Sequence, residues 1–344
     1  MARKKKKKAN ALIIILEVLI VLLLVIAGYL FYQYSKIKKA TTSDFDTSSV
    51  TVDLPEEEEK IMEEGYINIA LFGVDSRSDQ LKEKTRSDSI IIVSINKKTK
   101  EIHLLSVYRD TVLYTNENHG YDKATHAYAY GGAELAVQTL NQNLDLNITE
   151  FATVNFNSLA DIIDRLGGVE VELSQEEIDD MAEHGPETGR VVGREYVAPA
   201  APGVQTLDGV QAVSYCRIRH VAGGDYKRSE RQRIVLSQMF SKLKAAGPIK
   251  LAQIAQDVFP NVYTSMNLAD ILALIPGVSS YSIASSEGFP FETRDGRLEK
   301  MSVVYPAPNL YQNVIKLHEK LFGTEDYTPT SRVENYSIEI KALH

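Results

Sequence analysis

Ile67 to Arg77 reads I-N-I-A-L-F-G-V-D-S-R, Arg86 to Asn96 reads R-S-D-S-I-I-I-V-S-I-N, and Glu101 to Asp110 reads E-I-H-L-L-S-V-Y-R-D. Each block is an apolar run of strand length with charged residues at one end, which predicts strands over Ile67–Val74, Ser89–Ile95 and Glu101–Tyr108. Asn96 to Lys100 has turn chemistry, so the second and third strands are expected to pair as an antiparallel hairpin about Lys97 to Thr99. The start of one strand then lies beside the end of the other, and Asp88 becomes a neighbour of Arg109. If the first strand ends at the same edge, Asp75 joins them, and one rim of the sheet carries two carboxylates and two or three arginines. Open α/β sheets bind ligands at such rims. Two aspartates among arginines suit a hard divalent cation held against a phosphate, the alternative being a buried ion network that ties strand ends together.

A second charged stretch runs from Ser214 to Arg233, S-Y-C-R-I-R-H-V-A-G-G-D-Y-K-R-S-E-R-Q-R, with six basic and two acidic side chains in a chain of net charge −8. Tyr215, Arg217 and Arg219 alternate with Cys216 and Ile218, the period of a strand that would turn both guanidinium groups to one face. Gly223 and Gly224 break it. Asp225 is expected to cap a helix whose apolar positions Ile234, Val235, Met239, Phe240 and Leu243 run to the stop at Gly247 and Pro248. On that helix Arg228, Arg231 and Gln232 are spaced to share a face. Arginines from two elements beside a helix N-terminus make a phosphate-binding site, whereas a solvated salt-bridge helix would spread and mix its signs.

The N-terminus decides the compartment. A basic tail, residues 1–10, precedes an apolar run over 11–32 that at about 1.5 Å per residue is long enough to cross a bilayer. The excess of positive charge before it places the tail in the cytoplasm and the remainder outside the cell. An arginine cluster outside the cell has no access to DNA, so nucleic acid is not expected as a partner. Residues 33–65 read as an exposed linker, with the acidic run Glu56 to Glu59 as solvation, and 66–324 as one α/β domain. Cys216, the single cysteine, permits no internal disulfide and reads as a small buried hydrophobe.

Read together, the motifs resemble the LytR-CpsA-Psr family of membrane-anchored cell-wall phosphotransferases. The likeness runs through G-V-D-S-R at Gly73–Arg77, R-S-D-S at Arg86–Ser89, Y-R-D-T at Tyr108–Thr111 and K-A-T-H-A-Y-A-Y-G-G at Lys123–Gly132. It continues through D-R-L-G-G-V-E-V at Asp164–Val171, L-D-G-V-Q-A at Leu207–Ala212, R-I-R-H at Arg217–His220 and D-Y-K-R-S-E-R-Q at Asp225–Gln232. The resemblance implies a three-layer α/β/α sandwich around a mixed β-sheet, preceded by a single transmembrane helix, with an apolar pocket for a polyprenyl chain. It implies transfer of a glycopolymer from a polyprenyl pyrophosphate carrier to peptidoglycan as a phosphodiester. By motif, Asp75 and Asp88 would bind magnesium or manganese, while Arg77, Arg86, Arg109, Arg217, Arg219, Arg228, Asp225 and Gln232 would hold the pyrophosphate. Asp75, Arg109 and Asp110 are the candidate catalytic groups. The family commonly has proline where Tyr108 stands.

Other features carry less. His126 has no second histidine or cysteine at metal-ligand spacing, so zinc is not supported, and no serine, histidine and acid set marks a nucleophile. Tyr114, Tyr121, Tyr128 and Tyr130 surround Lys123 and His126 and either line an acceptor site or pack. The stripe Val154, Phe156, Leu159, Ile162, Ile163 and Leu166 suits a lipid pocket or a core equally. Gln175 to Pro202 reads as an exposed excursion and 325–344 as a loosely ordered tail. Asn267 is expected to cap a helix and Met301–Tyr305 to form a strand. A non-catalytic holder or sensor of lipid-linked precursors, or a transcriptional attenuator, is the rival functional reading.

Overall fold

The computed structural model describes residues 45–75, 81 and 85–343. The basic tail and the anchor expected at 11–32 lie outside the described residues, as does Arg77. Where the linker was expected to continue to residue 65, the described part folds: α1 (Thr47–Val50) is capped by Asp46, and α2 (Glu56–Gly65) follows. Glu56 to Glu59 occupy the first turn of α2, where negative charge complements the helix dipole, and Val50 and Met62 are buried. The acidic run is thus a helix start.

From α2 the chain enters β1 (Tyr66–Val74), then β2 (Ser87–Asn96) and β3 (Glu101–Val107). β2 and β3 pair antiparallel, Ile91 opposite Ser106, across the turn read from Asn96 to Lys100, where the Asn96 side chain accepts from the N–H groups of Lys98 and Thr99. A small hairpin, β4 (Val112–Asn116) with β5 (Gly120–Lys123), leads to α3 (Ala124–Leu144) and to β6 (Glu150–Val154), which adds parallel to β1. Next come α4 (Phe156–Arg165), β7 (Val169–Leu173), α5 (Gln175–Val192), β8 (Gly203–Leu207), α6 (Gly209–Arg217), α7 (Gly224–Ala246) and α8 (Pro248–Val258). β9 (Tyr263–Thr264), α9 (Leu268–Leu274), β10 (Ser282–Phe289), β11 (Thr293–Leu298), β12 (Met301–Pro306), α10 (Leu310–Phe322) and α11 (Ser331–Ala342) complete it. The main sheet is mixed, in the order β10-β3-β2-β1-β6-β9.

Helices cover both sheet faces, because alternate strand residues point opposite ways. Phe72, Ile90, Ile92 and Leu105 pack against Ala127, Tyr128 and Val137 of α3 and, through them, Val314 of α10 and Val333 of α11. On the other face Ile69, Ile95 and Leu104 meet Leu236 and Phe240 of α7. A further cluster joins α4, β7, α5, α6, α7 and α8 through residues such as Ile163, Val171, Met181, Cys216, Val235 and Val258.

Three segments fold otherwise than their local patterns predict. The R-I-R-H segment does not continue a strand: Ser214 to Arg217 end α6, which starts upstream in a reciprocal cap between Asp208 and Gln211. Five alternating residues could not outweigh that helix start. The excursion at Gln175 contains α5, opened by an equivalent Ser174–Glu177 cap and closed at Gly193, which adopts φ 73°. The tail contains α11, capped by Thr330 and tied down by Asp145. The Asn267 cap and the Met301 strand are as expected.

Candidate active site

The rim is set by strand register. Continuing the pairing of Ile91 with Ser106 sets Asp88 opposite Arg109, and the Arg109 guanidinium donates to the Asp88 carboxylate. The β1–β2 pairing slips between Gly73 and Val74, leaving Asp88 as the extra residue of a bulge, a device that re-aims a side chain at a strand end. Gly73 faces Ser89 so closely that an added Cβ would stand 3.0 Å from the Ser89 Cβ. Asp75 follows directly on β1. A turn fixes Arg109: the Thr111 N–H donates to Tyr108 O, the Thr125 N–H to Arg109 O, and the Val304 N–H to Asp110 O. Tyr108, in the position the family gives to proline, packs edge-on against Tyr226 and over Gly288.

Helices supply the second wall. Arg217 at the end of α6 donates to Thr188 Oγ1 at 2.6 Å and lies over the Phe156 ring. Arg219, in the following turn, reaches within 3.9 Å of Asp88. Asp225 does not cap α7, since Gly223 takes that position at φ 95°. Instead it lies in the first turn, 3.1 Å from Arg228 and 3.8 Å from Arg109. Arg228 is 2% exposed, and its Nε has no hydrogen-bond partner among the described residues. Arg231, expected on the same face, turns away to Glu177 at 2.8 Å and does not join the site. Asp110 pairs with Lys123 at 2.9 Å behind Arg109, and Arg86 is exposed just before β2.

Both walls meet at the mouth of a cavity of about 440 Å³. Asp75, Asp88, Arg217, Arg219, Arg228 and Gln232 line its polar end. Leu71, Ile91, Val154, Phe156, Leu159, Ile162, Leu236 and Met239 line the rest. The apolar stripe on β6 and α4 therefore divides: Val154 to Ile162 face the cavity, while Ile163 and Leu166 belong to the core. Cys216 also touches the cavity, but burial pushes its thiol up to about 12, which leaves no nucleophile near neutral pH.

Charge is concentrated where solvent is scarce. Burial pushes Arg228 down to about 10, with Asp225 opposing the shift. Burial acts the same way on Arg109, but Asp88, Asp110 and Asp225 outweigh it and hold that guanidinium above its ordinary value. A buried cation short of partners is costly unless an anion completes it. Asp75 and Asp88 put hard oxygen donors on adjacent strand ends, the donor type that hard divalent cations take.

Several contributors were missed in the sequence. Asp180 of α5 accepts from the His220 N–H at 3.0 Å, and its other oxygen is 3.1 Å from His184, which lines the cavity with His220. Asp180 and His184 are four apart behind a clear S-x-x-E helix start, the signal that would have found them.

A charged mouth with two carboxylates opens on an apolar cavity at one edge of a mixed α/β sheet. The chain belongs to the LytR_cpsA_psr family, whose model matches residues 26–314. It is 32% identical over 232 residues to polyisoprenyl-teichoic acid–peptidoglycan teichoic acid transferase TagT of Bacillus subtilis, covering 65% of this chain and 69% of that protein. It is 33% identical over 234 residues to biofilm regulatory protein A of Streptococcus mutans, covering 65% of this chain and 55% of that one. The fold superposes on a structure of YwtF (TagT) with bound octaprenyl pyrophosphate lipid at TM-score 0.57 and 26% identity, covering 83% and 95% of the two chains. It also superposes on TagT bound to LI-WTA at TM-score 0.60 and 27% identity, covering 83% and 94%.

Proposed function

We propose that the protein transfers a glycopolymer, a teichoic acid, capsule or other wall glycan, from a polyprenyl pyrophosphate to peptidoglycan, working on the outer side of a Gram-positive-type membrane as a single-pass protein. The observation that carries this reading is the junction of the apolar cavity with Arg217, Arg219, Arg228, Asp75 and Asp88 at its mouth. The cavity suits the polyprenyl tail and the mouth its pyrophosphate. An acceptor hydroxyl oxygen attacks the sugar-bearing phosphorus. The bond from that phosphorus to the bridging oxygen breaks, polyprenyl phosphate leaves with the electron pair, and the hydroxyl proton passes to a base or to solvent. Asp75 and Arg109 are the groups nearest to the role of base in the motif pattern.

Arg217, Arg219, Arg228 and Arg109 spread the charge that grows on the phosphoryl oxygens, and Gln232 completes the pocket. Arg77 and Arg86 are assigned to the same clamp by motif. Asp225 orients Arg228 and Arg109. Asp75 and Asp88 would hold magnesium, or manganese, which when bound neutralises pyrophosphate charge and assists the leaving group.

The test uses full-length protein in detergent with a prenyl-pyrophosphate-linked saccharide and a peptidoglycan acceptor. Transfer is expected to need magnesium, and Asp75→Ala or Arg109→Ala to lower it on the order of a thousandfold while thermal unfolding is little changed. Full turnover by both variants would sink the site assignment. Precursor binding without any transfer would favour the reading as a non-catalytic holder or sensor of lipid-linked precursors.

A further inference from the structure

An in-line displacement brings the nucleophile to phosphorus from the side opposite the leaving group. On the reading above the leaving group is the polyprenyl phosphate, whose tail fills the apolar cavity. The acceptor must then arrive from the other side of the Asp88–Arg109 pair. That side is the β4–β5 hairpin and the start of α3: Thr125 Oγ1 donates to Ser87 O at 2.8 Å, the Thr125 N–H donates to Arg109 O, and Lys123 pairs with Asp110. Among the described residues the cavity wall takes nothing from Lys123 to Tyr130.

One turn along α3 the surface carries aromatic rings. Tyr130 is 41% exposed, and the exposed His119 of the hairpin stacks on it, with ring centres 3.7 Å apart and planes 5° from parallel. The pair is held from beneath. Buried Asp122 accepts from the Tyr130 hydroxyl at 2.7 Å and from His126 Nδ1 at 2.8 Å. Burial would raise the Asp122 carboxyl, but these bonds and the Lys123 N–H outweigh it and bring it down to about 2, so it stays an acceptor at working pH.

An exposed ring pair with locked geometry presents a flat face of the kind that stacks on a sugar ring. We infer that His119 and Tyr130 form the subsite that takes the sugar rings of the acceptor glycan, and that Asp122 and His126 are its positioning residues. The inference rests on the transfer reading for its direction of approach, and it names the part of the protein that selects the acceptor. Donor sugars leaving the pyrophosphate have the same ring chemistry, so the experiment separates the two sources.

The probe is a soluble, uncrosslinked peptidoglycan chain of a few disaccharides, titrated calorimetrically into full-length protein in detergent. Wild type is expected to bind it, with Tyr130→Ala and His119→Ala each weakening binding about tenfold and Tyr130→Phe weakening it less. In turnover assays the two alanine variants should raise the acceptor KM by the same factor. The donor KM and the slow release of polymer to water should not change. A shift in donor KM, a loss of release to water, or wild type that binds no chain would each overturn the subsite. Wild type that binds the chain but transfers nothing would leave the subsite standing and overturn the proposed reaction.

Discussion

The two faces of the central sheet are built from the same strands and do opposite work. On the face under α3, α10 and α11, large side chains such as Phe72, Tyr128, Phe289 and Leu140 are fully buried, and the packing closes. On the face under α4 to α7 the strands contribute Leu71, Ile91 and Val154 to a cavity, and charged groups gather at its mouth. Filling one face completely is what allows the other to stay hollow, because burial on the solid side offsets the apolar surface left unpacked around the cavity. A charge removed from the solid face should therefore cost stability and spare activity. One removed from the hollow face should do the reverse.

Asp145 gives the sharpest break. It is 0% exposed at the end of α3 with φ 50°, and it accepts from Tyr327 Oη, Thr330 N, Thr330 Oγ1 and Arg332 Nη2 at 2.7–3.0 Å. Asparagine tolerates that backbone but sets an amide against donors, so Asp145→Asn is expected to lower unfolding free energy by about 3 kcal/mol. Transfer per folded molecule should stay within about twofold of wild type at a temperature where both are folded. Urea unfolding with a parallel activity assay reads both, and lost activity in a stable variant would contradict the division.

His318 tests the same face through pH. It stacks on Tyr327 at 3.6 Å and donates from Nε2 to Leu144 O, and burial brings it down to about 4 despite that bond and nearby Asp145. The neutral form is favoured in the fold, while the unfolded chain binds a proton near pH 6.5. Stability is therefore full above that value and declines as the pH falls from about 6.5 through 4, by up to about 3 kcal/mol. His318→Phe should flatten this part of the profile, measured as the difference in urea midpoint between pH 7 and pH 4.5. An unchanged slope would mean that His318 does not titrate on unfolding.

How far the sequence revealed this division follows from what each part depends on. The rim was legible: three apolar runs, a turn and strand pairing were enough to bring Asp88 to Arg109, since register is fixed by the backbone. The bulge at Asp88 and the exclusion of Arg231 were not, because both depend on packing between distant segments. Arg217 and Arg219 reach the cavity from a helix end and the turn after it, not from the strand that their spacing predicts. The alternation from Tyr215 to Arg219 suggested a strand, whereas the Asp208–Gln211 cap had already committed the chain to α6. Most was lost in Gln175–Pro202 and 325–344, where acidic, proline-bearing composition hid α5 and α11. The membership of Val154 to Leu166 in cavity or core had no sequence signal, since a wall and a core ask for the same side chains.

The smallest effect separates the two walls of the hollow face. Arg109 is held by its turn and strand, whereas Arg217 depends on one hydroxyl of a buried α5 residue, Thr188, backed by Glu187 at 3.4 Å. Thr188→Val keeps the volume and removes that acceptor. The guanidinium then samples more rotamers, and the loss of one charge-assisted bond predicts a donor KM raised by about threefold to tenfold. Because Arg109, Arg228 and the strand-end carboxylates are untouched, kcat should change by less than about twofold. A fall in kcat at constant KM would place Arg217 among the groups whose contact tightens only in the transition state, and the wall would then be as exacting as the rim.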